Sequence, residues 1–298
     1  MNEFIMMVGI PGCGKSYKSK ELAAKGYAVH SSDALRDELN MHDGSQCTYI
    51  FELMHKNIKA DMDAGKNIVY DATNMSRKRR IAYLESIKKY NYKKICYLFI
   101  IPVDVCKERN AKRTGYAYVP DLVYDRMLRS YEVPMLEEGW DEIIPIYDDF
   151  NYELPDMNVS QDNPHHTLSI EDHMKAAFKY LEDNNTDDMI EIAARYHDIG
   201  KIYTKKFENY KGEPTEYAHY YGHENYGAYI FLVLWASKWS KIYSFDKALH
   251  IAQLINWHMA PFIRWDKSPK AFEKDLKFLG QMFINEINIL HEADVQAH

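Results

Sequence analysis

Residues 4–16 read Phe-Ile-Met-Met-Val-Gly-Ile-Pro-Gly-Cys-Gly-Lys-Ser, "FIMMVGIPGCGKS". The apolar run Phe4–Val8 reads as a buried strand that stops at Gly9. Gly9–Ser16 then fits the spacing G-x-x-x-x-G-K-[ST], and a helical pattern, Lys15–Lys25, follows it. Strand, glycine loop and helix together are the context in which that spacing has meaning. Gly9, Gly12 and Gly14 let the loop backbone, Cys13 included, curl so that its N–H groups face a phosphate. The helix N-terminus adds a field that favours negative charge. Lys15 is then suited to the β- and γ-phosphates of a bound nucleotide, and Ser16 to Mg²⁺. Cys13 inside the loop also raises the expectation of a thiol whose oxidation stops binding.

Working outward, further strands are expected at Ala28–Ser32, Asn67–Asp71, Lys94–Ile101 and Glu142–Tyr147. Helical patterns lie between them at Tyr49–Ala64, Arg77–Tyr90, Val103–Ala111 and Asp121–Tyr131. Strands alternating with helices imply an α/β domain built on a parallel sheet flanked by helices. In such sheets reactive groups gather at the carboxyl ends of the strands. Asp33, in "HSSDALRDEL", is there and can accept a proton from an attacking hydroxyl, or else simply caps the next helix. Arg36, one turn on, suits a phosphate of the acceptor. Asp71 ends the third strand in "VYDATN" and suits Mg²⁺ or the acceptor. Arg109 and Arg113, in "RNAKRTG", are spaced to share a helix face, and Arg126 is on the next helix. Such arginines can close over a transferring phosphoryl group.

GIPGCGKS, SSDALR, DATN, the Arg109/Arg113 stretch and "VPDLVYDRM" occur in the order seen in phage and bacterial polynucleotide 5′-kinases, and residues 4–135 resemble that family. The resemblance implies ATP-dependent phosphorylation of a 5′-hydroxyl on RNA or DNA. It makes Lys15 part of the catalytic apparatus, Asp33 the general base, Arg36 an acceptor-phosphate contact and Arg126 a γ-phosphate contact.

After Tyr147 the strand signal disappears. The polar stretch before Pro164 reads as a linker, so the expected division is 1–150, a 151–164 linker and 165–298. Helices are expected at Ser169–Glu182, Asp187–His197, Glu224–Ser237, Phe245–His258 and Pro269–Val295. Ser169 with Asp172 resembles an acidic capping box, and Ser268-Pro269 an N-cap followed by Pro at the first helical position. Inside this half stands "RYHDIGK", residues 195–201. Adjacent residues on a helix point about 100° apart, so His197 and Asp198 at a helix end can address two ions, or one ion and its water. His173, His223, His258 and Asp294 sit on other expected helices or their ends, as in a site built inside a helical bundle. Imidazole and carboxylate donors suit one or two ions of Mn²⁺, Ni²⁺, Co²⁺, Fe²⁺ or Zn²⁺. His165, His166, His219, His250, His291 and His298 read mainly as surface or satisfied core residues.

The ordered set H…HD…H…H…D, with "YHDIGK" and "GHENYGA", resembles the HD phosphohydrolase superfamily over residues 165–298. That resemblance implies an all-α, metal-dependent domain. His173, His197, Asp198, His223, His258 and Asp294 would be its ligands, Asp198 would be part of the catalytic apparatus, and Lys201 would be a phosphate contact. Fusion of the two resembles bacterial RNA-end-healing enzymes. One site of such an enzyme adds a 5′-phosphate, and the other clears a 2′,3′-cyclic phosphate or 3′-phosphate. The partners implied are ATP, RNA or DNA ends with RNA favoured, and a separate RNA ligase, with no membrane. Two alternatives are a small-molecule or nucleoside kinase fused to an HD nucleotidase, and a kinase regulated by a nucleotide-sensing HD domain.

Composition agrees with a globular chain of 298 residues, 46% hydrophobic. Its four cysteines form no CxxC, which fits a reduced cytoplasmic setting. The most apolar late stretch, Tyr226–Trp235, is too short to span a bilayer and reads as a buried amphipathic helix. Residues 1–150 hold 22 basic and 22 acidic side chains, so the net charge of −7 lies in the second half, with ten of the thirteen histidines. Histidine and aspartate on an acidic background suit bound cations better than a broad nucleic-acid platform. The basic run Arg77–Arg80 and Arg36 lean toward a polynucleotide acceptor.

Overall fold

The computed structural model describes residues 1–42, 47–164 and 167–297. His165, His166 and His298 lie outside them. The chain forms two compact units, Met1–Met127 with Pro134–Asp148, and Leu128–Val133 with Asp149–His298.

In the first unit the elements alternate: β1 (Asn2–Val8), α1 (Lys15–Ala24), β2 (Ala28–Ser31), α2 (Ser32–Leu39), α3 (Cys47–Asp63), β3 (Ile68–Asp71), α4 (Arg77–Ser86), β4 (Tyr92–Phe99), α5 (Val103–Ala111), α6 (Asp121–Arg129) and β5 (Glu142–Ile146). All strand pairings are parallel, in the order β2-β3-β1-β4-β5. The apolar run Phe4–Val8 fills the central strand and is buried throughout, as a strand covered on both faces requires. β1 lies between β3 and β4, where crossovers leave in opposite directions and a crevice opens beyond the carboxyl ends. That is where Gly9–Ser16 runs.

Several local expectations change. Ser31, not Asp33, caps α2: its Oγ accepts from Ala34 N at 3.4 Å. Arg109 and Arg113 do not share a helix face, because α5 stops at Ala111. Buried Asn110 breaks it there, with Nδ2 donating to Val119 O at 2.7 Å and Oδ1 accepting from Val119 N at 3.0 Å. The basic run Arg77–Arg80 is not an exposed patch either. Arg77 and Arg80 turn inward, three residues apart on one helix face, and only Lys78 and Arg79 are exposed. Arg80 holds Glu138 through two bonds, 2.7 Å from Nε and 2.6 Å from Nη2, with both side chains fully buried. A fork-to-carboxylate pair of that kind is favourable inside a protein only when its remaining donors are used. Arg80 Nη1 also donates to Asn74 O and Met75 O, each at 3.0 Å.

The second unit is helical: α7 (Ile170–Asp183), α8 (Asp188–Tyr196), the short α9 (Lys201–Thr204), α10 (His223–Leu234), α11 (Phe245–Trp257) and α12 (Pro269–Gln296). α12 breaks its helical backbone at Gly280, where φ is 79°. Ser169 and Ser268 cap α7 and α12 as expected. The all-α expectation acquires one addition, an antiparallel hairpin of β6 (Lys206–Glu208) and β7 (Pro214–His219). Tyr226–Ala236 is buried residue by residue rather than along one stripe, so α10 is a core helix and not an amphipathic one. Among the described residues no helix is long and apolar enough to cross a membrane.

Leu128–Val133, assigned from sequence to the first half, groups with this unit. Two asparagines hold it: Asn225 Nδ2 donates to Arg129 O at 2.7 Å, and Asn256 bridges Tyr131 O and Val133 N at 3.1 Å each. The 151–164 segment has no helix or strand, yet Tyr152, Met157 and Gln161 are buried. Its polar composition hides those three anchors.

Candidate functional site

At the head of α1, Gly12 and Gly14 adopt φ of 80° and 101°, a region that side chains rarely enter. Gly12 is required twice over, since a Cβ there would lie 2.3 Å from Cys106 O. Tyr124 closes the loop's back, its hydroxyl donating to Pro11 O at 3.1 Å. Lys15 Nζ folds onto the loop and donates to Gly9 O at 3.0 Å and Ile10 O at 2.8 Å. Cys13 is 2% exposed, and burial raises its thiol pKa against the opposing charge of Lys15. The expected oxidation-sensitive thiol is therefore a shielded, protonated core group.

Asp71 ends β3, buried, and accepts from Ser19 Oγ at 2.9 Å. Burial raises its pKa, Lys15 and Ser19 oppose this, and the Asp33 charge adds to it. Lys15, Asp33 and Asp71 thus share one electrostatic environment beyond β1, β2 and β3. Asp33 is 83% exposed and 3.1 Å from Arg36. Arg36 also donates to Ser32 O at 3.1 Å, and its guanidinium stands 5.8 Å from the Phe51 ring centre. Arg109 pairs with Asp148 at 2.7 Å and reaches to about the position a Cβ of Gly14 would contact, 4.0 Å away. Arg113 Nη1 turns to Ala117 O at 3.5 Å, and Arg126 is on the exposed face of α6. Asn74, in "DATN", has a role the sequence did not show. With φ of 47° it donates from Nδ2 to Met7 O at 2.8 Å and ties the β3–α4 turn to β1.

In the second unit His173, His197, Asp198, His223, His258 and Asp294 come together from α7, the ends of α8 and α11, the start of α10, and α12. Two groups share Asp198: His173/His197/Asp198/Asp294 and Asp198/His223/His258, each with ligand atoms within 4.8 Å of one another. Asp198 divides its oxygens between them. Oδ2 lies 3.4 Å from Nε2 of both His173 and His197, while Oδ1 lies 3.1 Å from His223 Nε2 and 3.9 Å from His258 Nε2. Asp294 Oδ1 is 2.9 Å from His173 and 3.3 Å from His197.

All four imidazoles are held the same way. Each Nδ1 faces a backbone carbonyl: Ala297 O at 2.7 Å for His173, Ala194 O at 2.8 Å for His197, Tyr220 O at 2.8 Å for His223 and Ile255 O at 2.7 Å for His258. A carbonyl only accepts, so Nδ1 carries the proton and Nε2 turns a lone pair inward. Those lone pairs meet at 3.3 Å for His173 and His197 and at 3.2 Å for His223 and His258. Facing lone pairs repel unless a cation or proton stands between them.

The electrostatics agree. Burial disfavours charge on His197, yet Asp198 and Asp294 overcome it and raise its pKa to about 10. Burial and the imidazoles of His223 and His197 push His258 down to about 3. Burial also opposes ionisation of Asp198, but Lys201 and His197 hold it well below the usual carboxylate range. Burial opposes ionisation of Asp294 too, and His197 and His173 outweigh it. Two ionised carboxylates, Asp198 buried and Asp294 partly so, among inward-facing imidazole nitrogens call for positive charge, and this donor set fits borderline divalent ions. Asp198 Oδ2 has no well-directed hydrogen bond, although Lys201 Nζ is 2.6 Å away.

Lys201 is buried. Its Nζ donates to Gln161 Oε1 at 2.8 Å and lies 5.5 Å from the Tyr220 ring centre. Gln161 was missed because it falls in a stretch that reads as linker. Glu224, whose Oε2 is 3.6 Å from His223 Nδ1, was missed as an ordinary acidic residue in a helix's first turn.

Residues 4–134 match the family model described as an AAA domain, and residues 165–295 that of the HD domain. A protein of Acanthamoeba polyphaga mimivirus, named as a bifunctional polynucleotide phosphatase/kinase, is 26% identical over 147 residues. The match takes 47% of this chain but only 32% of that relative, so the chain spans about a third of its length. Two solved structures also align, each with 49% of this chain. One, described as a kinase from Chloroflexus aurantiacus, is 15% identical with a TM-score of 0.41 and 85% of its own chain covered. The other, a sugar kinase from Janibacter sp., is 18% identical with a TM-score of 0.38 and 86% covered. The chain thus carries a P-loop domain that matches the AAA-domain model over residues 4–134, followed by an HD domain over residues 165–295.

Proposed function

We propose that the chain processes both ends of a broken polynucleotide: it phosphorylates a 5′-hydroxyl from ATP and hydrolyses a 2′,3′-cyclic phosphate or 3′-phosphate, with RNA as the favoured substrate. The observation that carries the second activity is the four-imidazole cluster with every Nδ1 locked to a carbonyl and one carboxylate shared between two ligand groups. The first activity rests on the phosphate loop with Asp33 and Asp71 beside it, and the polynucleotide acceptor on the mimivirus relative's name.

At the kinase site Gly9, Gly12, Cys13, Gly14 and Ser16 form the cradle for Mg·ATP. Lys15 exchanges its two loop carbonyls for phosphate oxygens. Asp33 takes the proton of the attacking hydroxyl, which its exposure leaves accessible. Arg36 and Asp71 hold the acceptor, while Arg109, Arg113 and Arg126 spread over the transferring group.

At the HD site His173, His197, Asp198 and Asp294 hold one divalent ion, and Asp198, His223 and His258 hold a second. Such ions supply an activated water and a charge clamp for a phosphate oxygen. The locked Nδ1–H groups keep the imidazoles oriented as the load changes. Lys201 balances the Asp198 charge and adds a cation for the substrate phosphate.

Inward-turned Arg77 and Arg80 withdraw one argument for a polynucleotide acceptor and favour the nucleoside-kinase alternative by that much. The test is an acceptor panel with labelled ATP: 5′-hydroxyl RNA and DNA oligomers, nucleosides and sugars. Oligomer labelling that Asp33→Asn abolishes supports the proposal; labelling of nucleosides or sugars alone overturns the acceptor assignment.

A further inference from the structure

The hairpin that follows the His197–Asp198 turn carries side chains that neither site uses. Phe207, Tyr210, Tyr217 and Tyr221 are all exposed, Tyr210 at 77% and the others near half. Scattered exposed aromatics are ordinary, but four within fifteen residues are a local concentration. A two-stranded ribbon is marginal on its own. This one is tied down by Ala218 N donating to Asp162 O at 2.9 Å and by Lys205 Nζ, which donates to Ser160 O at 2.7 Å and Asp162 Oδ2 at 2.6 Å. Its tip is an ordered turn in which Asn209 Oδ1 accepts from Lys211 N at 2.9 Å and Glu213 N at 3.0 Å. The fold therefore spends order on presenting these rings.

The base of the hairpin runs straight into the metal-ligand cluster. Tyr220 O accepts from His223 Nδ1, and the Tyr220 hydroxyl donates to Gln161 O. Gln161 in turn holds Lys201, which faces Asp198. Beside that base the rings of His219 and Tyr221 are nearly parallel, 7° apart with centres 5.3 Å from each other. Exposed rings thus begin at Tyr221, two residues before His223, and recur along the hairpin at Tyr217 and Phe207.

We infer that β6, β7 and Tyr221 form a stacking platform for the unpaired nucleotides that precede the phosphate processed at the HD cluster. The inference rests on the phosphohydrolase reading above and narrows its substrate to a single-stranded end. Bases stack on aromatic side chains whatever their sequence, because every base has a π-face. Charge points the same way: Lys205, Lys206 and Lys211 are balanced by Glu208, Glu213 and Glu216, so stacking rather than phosphate attraction supplies the affinity. A duplex, with its bases turned inward, offers no such faces.

The test uses the full chain with Mn²⁺, and compares wild type with the double variant Phe207→Ala/Tyr217→Ala. Two substrates are used: a single-stranded oligomer ending in a 2′,3′-cyclic phosphate, and a nucleoside 2′,3′-cyclic phosphate. Wild type is expected to show kcat/KM at least tenfold higher for the oligomer, and the variant to lose about that factor through KM while treating the nucleotide normally. Equal loss on both substrates, or none on the oligomer, overturns the platform. Fluorescence anisotropy of a labelled single-stranded oligomer decides the matter separately from hydrolysis. If neither substrate is cleaved, the phosphohydrolase reading fails, and the platform stands only if the double variant binds the oligomer about tenfold more weakly.

Discussion

Gly200, the glycine of "HDIGK", is where the HD cluster is most sensitive to one added methyl group. Its φ and ψ, −69° and −20°, suit any residue. On backbone grounds alone Gly200→Ala would therefore stabilise the unit by about 0.4–1 kcal/mol. Packing reverses the sign. A Cβ at this position would lie 2.0 Å from His223 O and 2.7 Å from Gly227 N, whereas ordinary contact begins at 3.4 Å. The two segments must part by roughly 1.4 Å along that line. One carries Asp198 two residues earlier; the other begins with His223, 3.1 Å from the same carboxylate. Misplacing reacting groups by about 1 Å costs about 100-fold in rate, and overpacking costs about 1–3 kcal/mol. Gly200→Ala is expected to lose about two orders of magnitude in Mn²⁺-dependent hydrolysis of a cyclic phosphate end, with ATP-dependent phosphorylation by the same preparation within twofold of wild type. Gly227→Ala is the internal control. Its Cβ would meet Gly200 N at 3.1 Å, a conflict of a few tenths of an ångström, so its loss is smaller. Full hydrolysis by Gly200→Ala, or a greater loss in Gly227→Ala, would refute the reasoning.

Two further expectations concern the first unit. Glu138→Gln leaves the Arg80 guanidinium buried without its countercharge, which costs about 3–5 kcal/mol. Its thermal midpoint is expected to fall by roughly 10 °C in calorimetry, and an unchanged midpoint would show the pair to be dispensable. His55 is held neutral: burial, helped by Lys59, lowers its pKa to about 4, while Nε2 meets Tyr70 Oη at 2.9 Å. Below pH 6.5 the unfolded chain takes up this proton before the folded one does. The stability contributed above that pH is thus lost as pH falls toward 4, by at most about 3 kcal/mol. Urea unfolding at pH 7 and pH 4.5 is expected to show a smaller difference for His55→Gln than for wild type; equal differences would mean that His55 titrates normally.

Much of this was legible because it is local. Gly9–Ser16 and "YHDIGK" announce themselves by spacing, and the apolar run Phe4–Val8 specifies a strand covered on both faces. Other features depend on partners far along the chain. Arg77 and Arg80 look like surface charge until Glu138, 58 residues after Arg80, is found beneath them. Arg113 seems to extend the helix of Arg109, but Asn110 spends its side chain on Val119 and ends it. The locks on His173, His197, His223 and His258 are backbone carbonyls, which no side-chain pattern displays. The hairpin did leave a trace, since Asn209 and Gly212 mark a turn and Thr215, Tyr217 and His219 alternate. Its two strands are too short and polar to stand out beside long helices.

The central claim is that one chain carries two separable phosphate chemistries. Its most direct test is mass spectrometry of an RNA oligomer bearing a 5′-hydroxyl and a 2′,3′-cyclic phosphate, after incubation with ATP, Mg²⁺ and Mn²⁺. Wild type is expected to convert both ends, Lys15→Ala only the cyclic phosphate, and Asp198→Asn only the 5′-hydroxyl. An oligomer left unchanged by wild type, or both reactions lost in either single variant, would contradict the account.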